Sequence, residues 1–218
     1  MTTILFYSCL IAILLAGILQ SPRIQLHSLY RRWIGSLIFL FPITIWLLSG
    51  VSAQQVGLLF LLEQKTFIIS AALSIAIAVL NFFTAGTLGN LEVYPQIRKP
   101  IWNLPLLFHS TLAWMVYLLV YEIVFRGILL YSSLSIMPMH WAVLLNTVVY
   151  SLAHLIKNKR EAILSIPFGL MMIYLTLNSQ SCWYAVVIHI VLAISHEWSS
   201  IRAQPNMSVR FSFQNIKE

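Results

Sequence analysis

The chain has 218 residues, of which 60% are hydrophobic and only 9% charged, with a mean hydropathy of +0.86. A soluble domain carries about 25% charged residues, so the deficit excludes an ordinary water-soluble fold and indicates a membrane protein. All six acidic residues are glutamates against 13 Lys and Arg, a formal charge of +7. In a multi-span protein such an excess collects in cytoplasmic loops and does not call for nucleic acid.

The first apolar run, Thr3 to Leu19, is just long enough to cross about 30 Å of hydrocarbon at about 1.5 Å per residue. No Lys or Arg precedes it and no small-x-small cleavage site follows, so it reads as a retained span rather than a signal peptide. Further runs cover Trp33 to Gly50 and Thr66 to Ala85. Between them, Val51 to Leu62 has only a short apolar core and reads as an interfacial or re-entrant piece. A fourth helix starts after Pro105 and ends near Ser133, longer than the membrane is thick, so it must tilt or protrude. The fifth covers His140 to Ile156, the sixth Ala162 to Asn178 and the seventh Trp183 to Trp198. Pro167 and Gly169 lie inside the sixth, a pairing that opens space beside a site. Cys9 and Cys182 sit in or beside apolar runs and form no disulfide framework.

The expected fold is an all-α polytopic membrane helix bundle of seven transmembrane helices, or eight if Val51 to Leu62 also crosses. It is a single membrane domain, with peripheral spans over residues 1–104, a core over 105–198 and a cytoplasmic tail over 199–218. Seven spans place Arg23, Arg31, Arg32, Arg98, Lys99, Lys157, Lys159, Arg160, Arg202, Arg210 and Lys217 on one side and Lys65 alone on the other. That split predicts a multi-pass protein of the cell membrane with its N-terminus outside and its C-terminus in the cytoplasm.

Within the fourth span, Glu122 and Arg126 interrupt an apolar run. A charge at a helix centre costs about 2.5–3.5 kcal/mol, so such groups face a partner or a wet cavity. Their i, i+4 spacing puts them on one helix face within pairing distance, either as a structural ion pair or as part of a site. Asn146, Tyr150 and His154 repeat at i, i+4, i+8 on the fifth span, and His189 and His196 lie two turns apart on the seventh. A lone histidine in a span is commonly hydrogen-bonded packing; histidines on two helices beside a Glu/Arg pair on a third point to a shared site. Glu122, Arg126, His154 and His189 are therefore expected to line one cavity open to the cytoplasm.

YEIVFRG, YSLAH and the histidine of WYAVVIHIVLA, in that order, resemble the CAAX prenyl protease and bacteriocin-processing (CPBP, or Abi) family of intramembrane proteases. The family pattern is Glu-Glu-x-x-x-Arg-Gly, then Phe-x-x-x-His, then His-x-x-x-Asn, and the likeness runs from Ala113 to His196. The chain departs from it at Tyr121, where the family has the first glutamate, at Tyr150 for Phe, and at Ala193 for Asn. The resemblance implies peptide-bond hydrolysis by Glu/His-activated water, with Glu122, His154, His189 and Arg126 catalytic. Tyr121, Tyr150, Asn146 and His196 would serve as substrate-binding or oxyanion support. The implied partners are membrane lipid and a hydrophobic or prenylated peptide. Glu122, His154 and His189 also match a His₂Glu zinc site in ligand type, making a divalent metal the one cofactor to test. The alternatives are a non-catalytic relative that binds a peptide or lipid tail, and a small proton-coupled transporter, although no repeat supports the latter.

Overall fold

The computed structural model describes residues 1–21, 24, 26–86, 91, 93–156 and 159–210. Of the residues used above to assign orientation, Arg23, Lys157 and Lys217 lie outside this set. The described residues form seven helices, and six of them are long and apolar enough to cross a membrane.

Helix α1, Thr2–Leu19, buries Leu5, Cys9, Ala12 and Ala16 along one stripe and leaves Ile4, Ile11, Leu14 and Ile18 exposed, as a lipid-facing helix does. Helix α2, Ser28–Leu48, begins several residues before the predicted Trp33 because Arg31 and Arg32 enter the helix. Arg32 is only 2% exposed, which corrects its assignment to a loop. The segment from Val51 to Leu62 contains a single short 3₁₀ turn, Gln54–Val56, so there is no eighth span there. It is tied to the far end of the bundle: the Trp183 indole donates to the Leu58 carbonyl at 3.0 Å and the Tyr184 hydroxyl to that of Leu61 at 2.9 Å. Gly57 turns this segment with φ +64° against the Tyr131 ring, a conformation that favours glycine. Helix α3, Gln64–Thr84, is capped by the Glu63 carboxylate, which accepts from the amides of Lys65 and Thr66.

The central rod runs 33 residues, from Leu104 to Ile136. It comprises α4 (Leu104–Glu122), a π-helical stretch (Ile123–Leu129) and α5 (Leu130–Ile136). Asn103 caps its start by accepting from the Leu106 amide at 3.0 Å. The rod is the most buried element, packed by α1 and α2 on one side and by the later helices on the other. Helix α6, Met139–Leu155, has 17 residues; α7, Lys159–Ser179, carries Pro167 within it; α8 is Trp183–Ala203. Two three-residue strands, β1 (Ile101–Asn103) and β2 (Ser208–Arg210), pair in parallel, so the start of the tail returns to the foot of the rod. The result is the all-α bundle that the apolar runs predicted.

Candidate active site

Glu122 is the last residue of α4, and Arg126 lies one turn on, inside the π-helical stretch. A π turn widens the winding to i, i+5 and disturbs the facing of i, i+4 side chains. The pair is accordingly loose: Arg126 Nε lies 3.7 Å from Glu122 Oε2, beyond hydrogen-bonding distance, although both side chains are fully buried. The shorter bond of the carboxylate goes elsewhere. His189, on α8, places Nδ1 2.5 Å from Glu122 Oε1. A carboxylate accepts, so Nδ1 carries the proton and Nε2 is the ring nitrogen left for chemistry.

Arg126 is held by other groups. Its Nη1 donates to Asn146 Oδ1 at 2.9 Å, and its guanidinium carbon lies 4.4 Å over the Tyr150 ring, a cation–π arrangement. The amide of Asn146 in turn donates from Nδ2 to the Phe125 carbonyl at 2.8 Å. Gly169 of α7 provides the room. A Cβ there would meet Tyr150 Cδ1 at 3.0 Å and Arg126 Nη2 at 3.5 Å. His154 is fixed from its own helix, with Nδ1 donating to the Tyr150 carbonyl at 2.9 Å and its ring 4.6 Å from that of Tyr150.

A cavity of about 380 Å³ adjoins these groups. Tyr121, Phe125, Tyr150, Phe168 and His189 line its aromatic part, together with His154, while Tyr94, Arg160, Glu161 and His196 line a more polar part. The Tyr94 ring lies tilted against that of His196, with ring centres 4.4 Å apart. Burial, and then the Glu161 carboxylate that its hydroxyl bonds, hold the Tyr94 phenol well above its usual range, so it stays protonated and acts as a donor.

The expectation that four ionisable residues line one cavity is corrected. His154 and His189 line it, whereas Glu122 and Arg126 do not and are entirely withdrawn from solvent. Full burial of the two charges demands mutual and local neutralisation, which Asn146, Tyr150 and His189 supply at the cost of leaving Glu122 Oε2 without a hydrogen bond. Tyr121, Tyr150 and His196 reach the cavity as anticipated, but Asn146 does not: it is 0% exposed, and both ends of its amide are engaged inside the protein. Tyr121 stacks on Phe125 with centroids 4.4 Å apart, edge-on to His189, and its hydroxyl has no hydrogen-bond partner among the described residues. Ala193 also lines the cavity.

The zinc option does not fit this arrangement. Among the described residues no group of three His, Cys, Asp or Glu is placed to hold a metal ion. Glu122, the carboxylate of the expected set, is withdrawn from the cavity that His154 and His189 line.

A second buried charge pair was not anticipated. Arg32 donates to Glu197 Oε1 at 3.1 Å, to Ser110 Oγ at 2.8 Å and to Gln96 Oε1 at 3.3 Å, and it stacks over Trp114 at 4.1 Å. Both residues sit near span ends in the sequence, where a charge ordinarily meets water, so their pattern carried no sign of pairing across 165 positions.

No curated protein and no solved structure matches the chain. A family model does, described as Rce1-like, type II CAAX prenyl endopeptidase Rce1-like, over residues 101–195. That span takes in the rod, α6, α7 and α8 as far as Ser195, so the segment that builds the Glu122–His189 pair and places His154 beside it is similar to an Rce1-like endopeptidase domain, consistent with the CPBP family.

Proposed function

We propose that this membrane protein is an intramembrane endopeptidase that cleaves a membrane-associated or hydrophobic peptide, with the domain of residues 105–198 carrying the reaction and residues 1–104 forming peripheral spans around it. The observation that carries this reading is the Glu122–His189 hydrogen bond, because it anchors one ring nitrogen of a cavity-lining histidine and leaves the other for proton transfer. Glu122 does not touch substrate. It orients His189 and stabilises the charge on the ring when a proton arrives, as the buried carboxylate of a catalytic triad does.

In this scheme His189 Nε2 takes a proton from a water whose oxygen adds to the peptide carbonyl carbon. The tetrahedral oxyanion accepts a hydrogen bond from the Tyr150 hydroxyl, which substitutes for the amide that Ala193 lacks. The imidazolium then returns its proton to the nitrogen as the C–N bond breaks, releasing a carboxylate and an amine. His154, with Nδ1 held by the Tyr150 carbonyl, offers a second Nε2 to position the attacking water. The aromatic lining suits a hydrophobic or prenylated peptide. Access is from the cytoplasm, on the division of basic residues, ten against one once the buried Arg32 is set aside, with the N-terminus outside the cell membrane and the tail after Ser199 inside. Reporter fusions that place the tail outside would overturn that orientation.

A second reading is a non-catalytic relative that binds a peptide or lipid tail. It is favoured by Tyr121 and Ala193 in place of the motif Glu and Asn, and by the sealing of Glu122. Purified protein in bilayers, assayed against hydrophobic and prenylated peptides, separates the two. For an enzyme, Glu122→Gln should lower turnover by at least about 10²-fold, because the amide no longer holds His189 in its tautomer or stabilises the charge on its ring. Turnover unchanged by Glu122→Gln would refute the mechanism. No turnover by the native chain, with activity gained only on Tyr121→Glu and Ala193→Asn together, identifies the binder.

A further inference from the structure

We infer that Asn146 is a positioning residue which, by holding Arg126 away from Glu122, keeps the carboxylate for His189. Three observations converge on it. Asn146 is fully buried on α6, where a polar amide is tolerated only with its hydrogen bonds satisfied. Its oxygen accepts from Arg126 Nη1 and its nitrogen donates to the Phe125 carbonyl, so one side chain grips both the guanidinium and the π-helical stretch that carries it. Side chains inserted beside a widened turn are a recognised way of holding such a winding in place. The third observation is the outcome for Glu122: Arg126 remains 3.7 Å away while His189 is at 2.5 Å.

Without the Asn146 oxygen, the nearest full negative charge available to Arg126 is Glu122 Oε2, which has no hydrogen bond. Attraction between unit charges is strong in a low-dielectric interior, and Arg–carboxylate pairs favour bidentate closure. The guanidinium then closes on the carboxylate, and Glu122 is drawn off His189. The role of Asn146 is thus indirect, exerted through Arg126, and concerns the arrangement of the pair rather than contact with a ligand.

The inference depends on the Glu122–His189 arrangement and not on turnover, so it stands or falls separately from the peptidase reading. Protein labelled with ¹⁵N-histidine and reconstituted in nanodiscs should show a far-downfield proton bonded to His189 Nδ1, identified by its loss in His189→Gln. Asn146→Leu, or Asn146→Ala if the leucine variant does not fold, should lose that resonance or move it upfield. Asn146→Asp retains an acceptor for Arg126 and should keep it. A native spectrum without the resonance, an unshifted resonance in the folded Asn146→Leu or Asn146→Ala variant, or its loss in folded Asn146→Asp overturns the inference.

Discussion

Two arginine–glutamate pairs are buried among the described residues of this bundle, and they are built on opposite plans. Arg32 and Glu197 come from α2 and α8, meet at 3.1 Å, and are joined by Ser110, which accepts from the arginine and donates to the glutamate, and by Gln96 and the Trp114 ring. They form a clamp between helices distant in sequence. Glu122 and Arg126 are a turn apart on one rod yet stand at 3.7 Å, each engaged by another partner. Proximity in sequence therefore produced the looser pair and separation the tighter one. The tighter pair, bridged by Ser110, fixes packing between helices; the looser one leaves its carboxylate to orient an imidazole beside a cavity.

The sharpest way to break the comparison is to truncate the clamp. Glu197→Ala strands a buried Arg32 and should destabilise the protein by about 3–5 kcal/mol, the usual range for one member of a buried pair. Thermal or denaturant unfolding in lipid reads this directly. Glu122→Gln also strands a buried arginine, but Asn146 and the Tyr150 ring still engage it, so its stability loss should be the smaller of the two; equal losses in the two variants would erase the distinction.

A smaller effect tests how tightly the open pair is housed. At Gly169 an added Cβ meets the Tyr150 ring at 3.0 Å, and that ring, 1% exposed and lying under Arg126, cannot retreat. Gly169→Ala should therefore destabilise by about 1–3 kcal/mol through overpacking, despite the higher helix propensity of alanine. A stabilised Gly169→Ala protein would mean that Tyr150 and Arg126 have slack.

The smallest expected effect belongs to a carboxylate outside both pairs and at the membrane edge. Hydrogen bonds from Thr66, its side chain first and its amide second, hold the Glu63 carboxyl below the ordinary value of 4.5. A folded-state value below the unfolded one means that its stabilising contribution is fully present above that ordinary value. It is lost as pH falls through the lower folded value. Stability curves of the native protein and Glu63→Gln should converge on acidification from pH 6; curves that stay parallel would remove the cap from the account.

The helices were legible because a bilayer imposes a length and a composition that six of the seven described helices meet, and the motif histidines were legible because their repeats keep to one helix face. The π-helical stretch was not, since nothing local in IVFRGIL distinguishes it from an ordinary turn. Its holder, Asn146, lies 20 residues beyond Arg126 on another helix. Gly169 was read as part of a kink that opens space, and the space it leaves is for Tyr150 and Arg126.

What the sequence by itself determined was that this chain spans a membrane as a helical bundle and that a glutamate, an arginine and two histidines share its interior, because apolar length and the expense of intramembrane charge are properties of local composition. Tertiary structure alone decided which of those groups meet. It sealed Glu122 and Arg126 from the cavity, gave the carboxylate to His189 and paired Arg32 with Glu197, because the packing of separate helices sets distances between side chains that no spacing along one chain can specify.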